Sequence, residues 1–296
     1  MSGEGTKRFR QHWDERTASG AARKALEVLL AGAARSTIPV NLEAAARVLG
    51  IEQIVEDDLT NFDGLLSSTS SGSYLVTLKR GQSRLRKRFT LAHEIGHVIV
   101  YKSVGRRAEA VESGNLGCRA ATAEDREEER LCDVLASELL MPREQFLQEM
   151  WHRGVCANTI PLIARQFDVS LHAASRRVAS VLGYEIGVSL WVMSESGSHL
   201  VPKWYLTKNG PGTLPYAIEV GQAAGALFSD KPHRGWQWLP LHGQMEKYFI
   251  DIQPLPGATR SWLLVVVFGD AARQIMAEIS LSRPGRSVQQ LPLIDE

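Results

Sequence analysis

His93 and His97 stand four residues apart in the run His93-Glu94-Ile95-Gly96-His97. On a helix, positions four apart lie one above the other on the same face. The two imidazoles can therefore grip one metal ion, with Glu94 beside them to accept a proton from water on that ion. This H-E-x-x-H spacing points to metal-assisted hydrolysis. A catalytic zinc ion (Zn2+) takes a third protein ligand and leaves one position open. The acidic run Glu124-Asp125-Arg126-Glu127-Glu128-Glu129 leads into Arg130-Leu131-Cys132-Asp133 and offers several carboxylates. Most of them read as a solvated first turn, favoured by the positive end of the helix dipole. Glu129 is the ligand of choice, because it stands four residues before Asp133 and shares its helical face. Metal-bound histidines give their outer ring N–H to an acceptor. Glu129 as ligand with Asp133 behind a histidine meets both needs within one turn.

The elements that must position these groups are also legible. Phe89, Ala92, Ile95, Val98 and Ile99 give residues 89–102 an apolar stripe at helical spacing. Gly96, between the histidines, suits a helix that passes close to a metal or a neighbouring backbone. Leu131, Val134, Leu135 and Leu139 form one face of a second helix, which Pro142 ends or which gives way there to the next. Residues 21–33 and 41–50 read as helices, the second starting near Asn41 and closing at Gly50. Residues 63–80 read as a small β hairpin or meander, with a serine-rich turn at 67–73.

In order along the chain come Ile38-Pro39-Val40-Asn41-Leu42-Glu43, Phe62-Asp63-Gly64-Leu65-Leu66, Arg88-Phe89-Thr90-Leu91-Ala92 running into the histidine motif, and Leu139-Leu140-Met141-Pro142. Together these blocks resemble the ImmA/IrrE family of bacterial metallopeptidases over roughly residues 20–150. The E-x-x-x-D spacing after H-E-x-x-H is similar to the gluzincin arrangement. The resemblance implies zinc on His93, His97 and Glu129 and a catalytic base at Glu94. It also implies a helix-turn-helix repressor as protein substrate, whose cleavage releases genes for DNA-damage responses, mobile elements or defence. Tyr101 stands where many members have another histidine, and Asp133 where many have asparagine.

With 34 Lys and Arg against 33 Asp and Glu, the chain carries a formal charge of +1, so no global field draws it to nucleic acid. The length of 296 residues suggests two domains of ordinary size. Polar residues 1–20 argue against a signal peptide. The longest apolar run, 262–268, is too short to cross a bilayer. Three cysteines without paired spacing suggest a reducing, cytoplasmic setting.

The expected fold class is α+β: a zincin-like helical metallopeptidase domain with a small β-sheet at 1–150, a helix-turn-helix-like segment at 151–183, and an α+β domain at 184–296. The third part resembles the GAF-like sensor domain of longer family members. In the middle segment, helices flank Val169-Ser170, with Arg176 and Arg177 on the second. Strands are expected at 188–192, 236–241, 248–252 and 262–268, and helices at 215–229 and 270–281. Most tryptophans of this part (Trp191, Trp204, Trp236, Trp238, Trp262) should be core. One or two beside Lys203, Lys208, Lys231 or Arg234 could stack on bases.

Three further features carry expectations. Arg80, Arg84, Arg86, Lys87 and Arg88 form a basic cluster, either a solvated loop or a contact for an anionic activator such as single-stranded DNA. Cys118 lies in a glycine-bearing loop between the metal helices. It is either a free cysteine or a switch ligand that occupies the open zinc position at rest. Tyr101, His152 and Tyr184 are candidates, by residue type, to stabilise an oxyanion. The competing reading of the whole is a DNA-binding regulator with a structural or vestigial metal site. A third is an interaction module paired with a toxin or phage component.

Overall fold

The computed structural model describes residues 20, 24, 38–104, 111–114, 123–154, 156–182, 186–207, 210–212, 218–219, 228–239, 246–257 and 260–267. The chain is α+β and divides into two compact units: 1–146 with 163–173, and 147–162 with 174–296. Within residues 151–183, 163–173 fall in the first unit and the rest in the second. The expected helices at 21–33, 215–229 and 270–281 lie essentially outside the described residues, as do Cys118, Tyr184 and Lys208.

The first unit opens with α1 (Leu42–Val48), which starts where Asn41 Oδ1 accepts the Ala44 N–H at 3.0 Å. Strands β1 (Ile51–Asp57), β2 (Phe62–Ser68) and β3 (Tyr74–Lys79) follow, then α2 (Arg84–Val104), β4 (Val111–Gly114) and α3 (Ala123–Leu140). The four strands form one sheet in the order β1-β3-β2-β4. β2 and β3 are the expected hairpin, and β1 runs parallel to β3. Leu66, Val76 and Leu78 are buried on this sheet. Residues 91–100 of α2 are buried all round, as expected of a helix inside a core. In α3, Leu131, Leu135 and Leu139 are fully buried on one stripe. Pro142 begins the next helix, α4 (Arg143–Arg153): its carbonyl accepts the Phe146 N–H at 2.9 Å, and Glu138 Oε1 accepts the Arg143 N–H at 3.0 Å.

Helices α5 (Thr159–Phe167) and α6 (Leu171–Val181) form the expected helix pair. Asp168 makes the turn in the left-handed region, at φ 57°. Of the two arginines placed on the second helix, Arg177 is buried, while Arg176 lies with His172 and Ser180 on its exposed strip. A single arginine on that strip gives little basic surface for reading DNA.

In the second unit β5 (Ile186–Met193), β6 (His199–Thr207), β7 (Gly210–Gly212), β9 (His233–Leu239), β10 (Glu246–Leu255) and β11 (Ser261–Val267) form an antiparallel sheet, ordered β7-β6-β5-β11-β10-β9. A short β8 (Ile218–Glu219) pairs with β6. Tyr248, Ile250 and Ile252 alternate along β10, and Trp262, Leu264 and Val266 along β11. With Trp191, Leu200 and Phe228 they make the core of this unit. Trp191 and Trp262 are core as expected, whereas Trp238 is 60% exposed and Trp236 39%. Asp251 is buried, accepting the Ala157 N–H at 2.9 Å and the Arg234 guanidinium.

Candidate metal centre

Helices α2 and α3 touch backbone to backbone at one point. A Cβ on Gly96 would lie 3.2 Å from both Cα and the carbonyl oxygen of Cys132, closer than ordinary van der Waals contact. Glycine therefore lets the helices close, and the donors on either side of the contact meet. His93 and His97 project from α2 with ring centroids 5.0 Å apart, edge to face. His93 Nε2 lies 3.0 Å from Glu129 Oε2, and His97 Nε2 lies 3.4 Å from Glu129 Oε1. One donor atom from each of the three residues falls within 4.8 Å of the others.

The outer ring nitrogens have partners of their own. His93 Nδ1 is 3.0 Å from Asp133 Oδ1. His97 Nδ1 is 3.3 Å from Glu128 Oε1 and 3.3 Å from Cys132 Sγ. Two adjacent stripes of α3 thus divide the work: Glu129 and Asp133 face His93, while Glu128 and Cys132 face the outer edge of His97. Glu129 and Asp133 were legible from their spacing. Glu128 was not singled out, although its four-residue spacing to Cys132 repeats the same pattern one position earlier.

Burial disfavours the charged imidazolium of His93, but the carboxylates of Asp133 and Glu129 outweigh it and raise its pKa above the ordinary value. His97 is raised well above its ordinary value: burial is outweighed by Cys132, Glu128 and Glu129. Burial favours the neutral acid of Glu129, but the two histidines hold its carboxyl down at about 2. Burial pushes the Cys132 thiol up to about 11. The residues fit a metal ion. His97 Nε2 is buried with no well-formed hydrogen bond, and a dication between two imidazoles and a carboxylate would satisfy donors that otherwise face one another.

Glu94 is fully buried. It lies against β2 at Gly64, where a Cβ would sit 3.1 Å from Glu94 Cδ and overlap the carboxylate oxygen and the Thr90 methyl. Gly64 belongs to the site and was not recognised as part of it, because a glycine in a strand signals close approach without naming the neighbour.

Other expected site residues are placed differently. The basic cluster is no loop from residue 84 onward, because Arg84, Arg86, Lys87 and Arg88 form the first turns of α2. Each meets a carboxylate: Arg84 pairs with Asp168, Arg86 with Asp63, Lys87 with Glu56 at 2.5 Å, and Arg88 with Asp168 at 3.3 Å. These partners offset the unfavourable placing of cations at a helix N-terminus. Tyr101 is no free oxyanion donor, since it is buried and its hydroxyl is hydrogen-bonded to Glu128. His152 is exposed and belongs to the second unit.

Two buried histidines and a carboxylate across a helix contact, with a buried glutamate beside them, form a group that could hold a metal ion. Residues 46–179 match the family model described as the IrrE N-terminal-like domain, a zinc-associated peptidase family, which supports the ImmA/IrrE family and a metallopeptidase-like or regulatory function. Among solved structures, the chain is similar to a Mycobacterium tuberculosis transcriptional regulator at 14% identity and a TM-score of 0.49, covering 92% of this chain and 83% of that one. No curated protein matches the chain. No helix among the described residues is long and apolar enough to cross a membrane.

Proposed function

We propose that the chain is a zinc-dependent endopeptidase whose site is built from His93, His97, Glu129 and Glu94. The observation that carries this reading is the convergence of three donor atoms within 4.8 Å beside a fully buried glutamate. A structural zinc site closes with four protein ligands and has no use for such a glutamate. His93, His97 and Glu129 would hold the ion, which when bound supplies Lewis acidity that activates water and polarises the scissile carbonyl. Glu94 takes a proton from the attacking water and returns it to the leaving amine. Asp133 keeps the His93 ring in one orientation throughout. β4 ends the sheet order β1-β3-β2-β4, so an extended peptide can align by adding a strand beside it.

The substrate class proposed is a helix-turn-helix repressor, whose cleavage would derepress stress or defence genes. The match to an IrrE N-terminal-like domain supports it. The proposed role of the second unit is a GAF-like sensor. Its main strands lie in the spatial order second, first, fifth, fourth, third, an antiparallel arrangement that supports this reading. A single-stranded DNA activator at Arg84, Arg86, Lys87 and Arg88 would have to displace Asp168, Asp63 and Glu56 from them.

The test is cleavage of a helix-turn-helix repressor, beginning with any encoded by a neighbouring gene, with and without single-stranded DNA, after metal analysis of the purified protein. Zinc near one equivalent and cleavage are expected from the wild type. Glu94→Gln should keep zinc and lose cleavage, and His93→Ala should lose both. Full cleavage by Glu94→Gln overturns the assignment. Specific DNA binding without cleavage would favour the regulator.

A further inference from the structure

We propose that Glu128 is a positioning residue for the metal centre: its carboxylate accepts the His97 Nδ1 hydrogen and fixes that ring with Nε2 turned toward His93 and Glu129. The inference rests on the metal-centre reading above and extends it to a residue beyond the three ligands. His97 Nε2 is the nitrogen that faces the other two donors. If Nε2 carries the lone pair, the ring hydrogen is on Nδ1 and must be donated. Two atoms stand 3.3 Å away, Cys132 Sγ in hydrogen-bonding geometry and Glu128 Oε1 as an ion-pair contact. A thiol sealed in a core is a poor acceptor. A carboxylate makes a charge-assisted bond roughly twice as strong as a neutral one. Equal distances therefore resolve in favour of Glu128.

A second contact supports this assignment. Tyr101 lies one helical turn after His97, its ring stacked on the imidazole at 5.9 Å and 29°. Its hydroxyl donates to the same Glu128 carboxylate. Tyrosine thus holds both members of the pair, the ring by stacking and the carboxylate by a hydrogen bond. His93 has Asp133, and His97 has Glu128 backed by Tyr101.

The test is zinc affinity, measured on the full-length chain by competition with a chromophoric chelator. Losing an acceptor behind a metal-bound histidine weakens affinity about 10- to 100-fold. That loss is expected for Glu128→Ala, with most of it recovered in Glu128→Gln, which keeps an acceptor oxygen. Glu127→Ala, whose carboxylate pairs with Arg130, is the control and should match the wild type. Cobalt-substituted Glu128→Ala should also show an altered visible spectrum. Wild-type affinity in Glu128→Ala, or an equal loss in Cys132→Ala, overturns the proposal. Tyr101→Phe keeps the stack and removes the hydroxyl. Should Glu128→Ala fail to fold, unchanged zinc affinity in Tyr101→Phe overturns it instead. A wild-type protein that takes up no zinc would sink the metal-centre reading itself, a result distinct from either.

Discussion

Gly64 on β2 leaves the volume that the Glu94 carboxylate fills: a Cβ at residue 64 would come within 3.1 Å of Glu94 Cδ and overlap the oxygen bonded to it. The Thr90 methyl flanks the same space and is stiff at χ1, so it cannot give way. Gly64→Ala is therefore expected to move the glutamate while leaving His93, His97 and Glu129 in place. Overpacking of this kind costs about 1–3 kcal/mol, and a displaced base costs on the order of a hundredfold in rate. Zinc content and repressor cleavage measured on one preparation check it. Wild-type cleavage by Gly64→Ala would mean that Glu94 is not confined there.

Stability should depend on pH in opposite senses with and without metal. Burial opposes protonation of His93 and His97, yet their neighbours raise both above 6.5. Their stabilisation is complete below that ordinary value and is lost as pH rises through the raised values. Glu129 is held down from 4.5 to about 2, so its contribution is complete above 4.5 and lost as pH falls toward 2. Metal-free protein should melt lower at pH 8.5 than at pH 5.5. Zinc requires deprotonated imidazoles, so zinc-loaded protein should gain stability over the same interval. Parallel melting curves for the two forms would contradict this.

Arg88 ties the start of α2 to two other segments of the first unit. Its Nε donates to the Asp168 carbonyl at 3.2 Å and its Nη2 to the Val40 carbonyl at 3.2 Å. Arg88→Ala is expected to cost about 1–3 kcal/mol in urea unfolding, whereas exposed Arg84→Ala should leave the midpoint unchanged. Equal midpoints for both variants would remove the structural role given to Arg88.

Asp251 has the corresponding role in the second unit. Asp251→Ala leaves the Ala157 N–H and the Arg234 guanidinium without their acceptor. A buried N–H left without its acceptor costs about 1–3 kcal/mol, while the exposed Arg234 guanidinium can turn to water. Asp251→Asn, which keeps an oxygen, should cost less. Denaturant unfolding followed by tryptophan fluorescence reads both. A neutral Asp251→Ala would show that water replaces the carboxylate.

Much of the site is legible because its signals are local. The His93–His97 spacing, the Glu129–Asp133 spacing and the Asn41 cap each span less than two turns. β1 has one buried residue in seven and is held by parallel pairing with β3, Asp57 opposite Lys79, so no periodicity announces it. β6 carries Pro202 opposite Trp191, at a register shift that breaks its alternation. Glu128 was hidden for another reason: in a run of acids, only the partner helix shows which carboxylate turns inward. The same holds for Arg88, whose partner Asp168 is eighty residues away.

The contact between Gly96 and Cys132 has a consequence for the spacing of His93, His97 and Glu129. Two donors come from one rigid helix and the third from another, so the span between them follows the distance between helix axes. That distance is set where main chain meets main chain, at 3.2 Å from a Cβ that glycine lacks. If the group holds an ion, the gauge for its size thus lies outside the ligand set. Gly96→Ala would widen the gap between donors without altering one of them, and zinc affinity measured against that of a larger dication should fall.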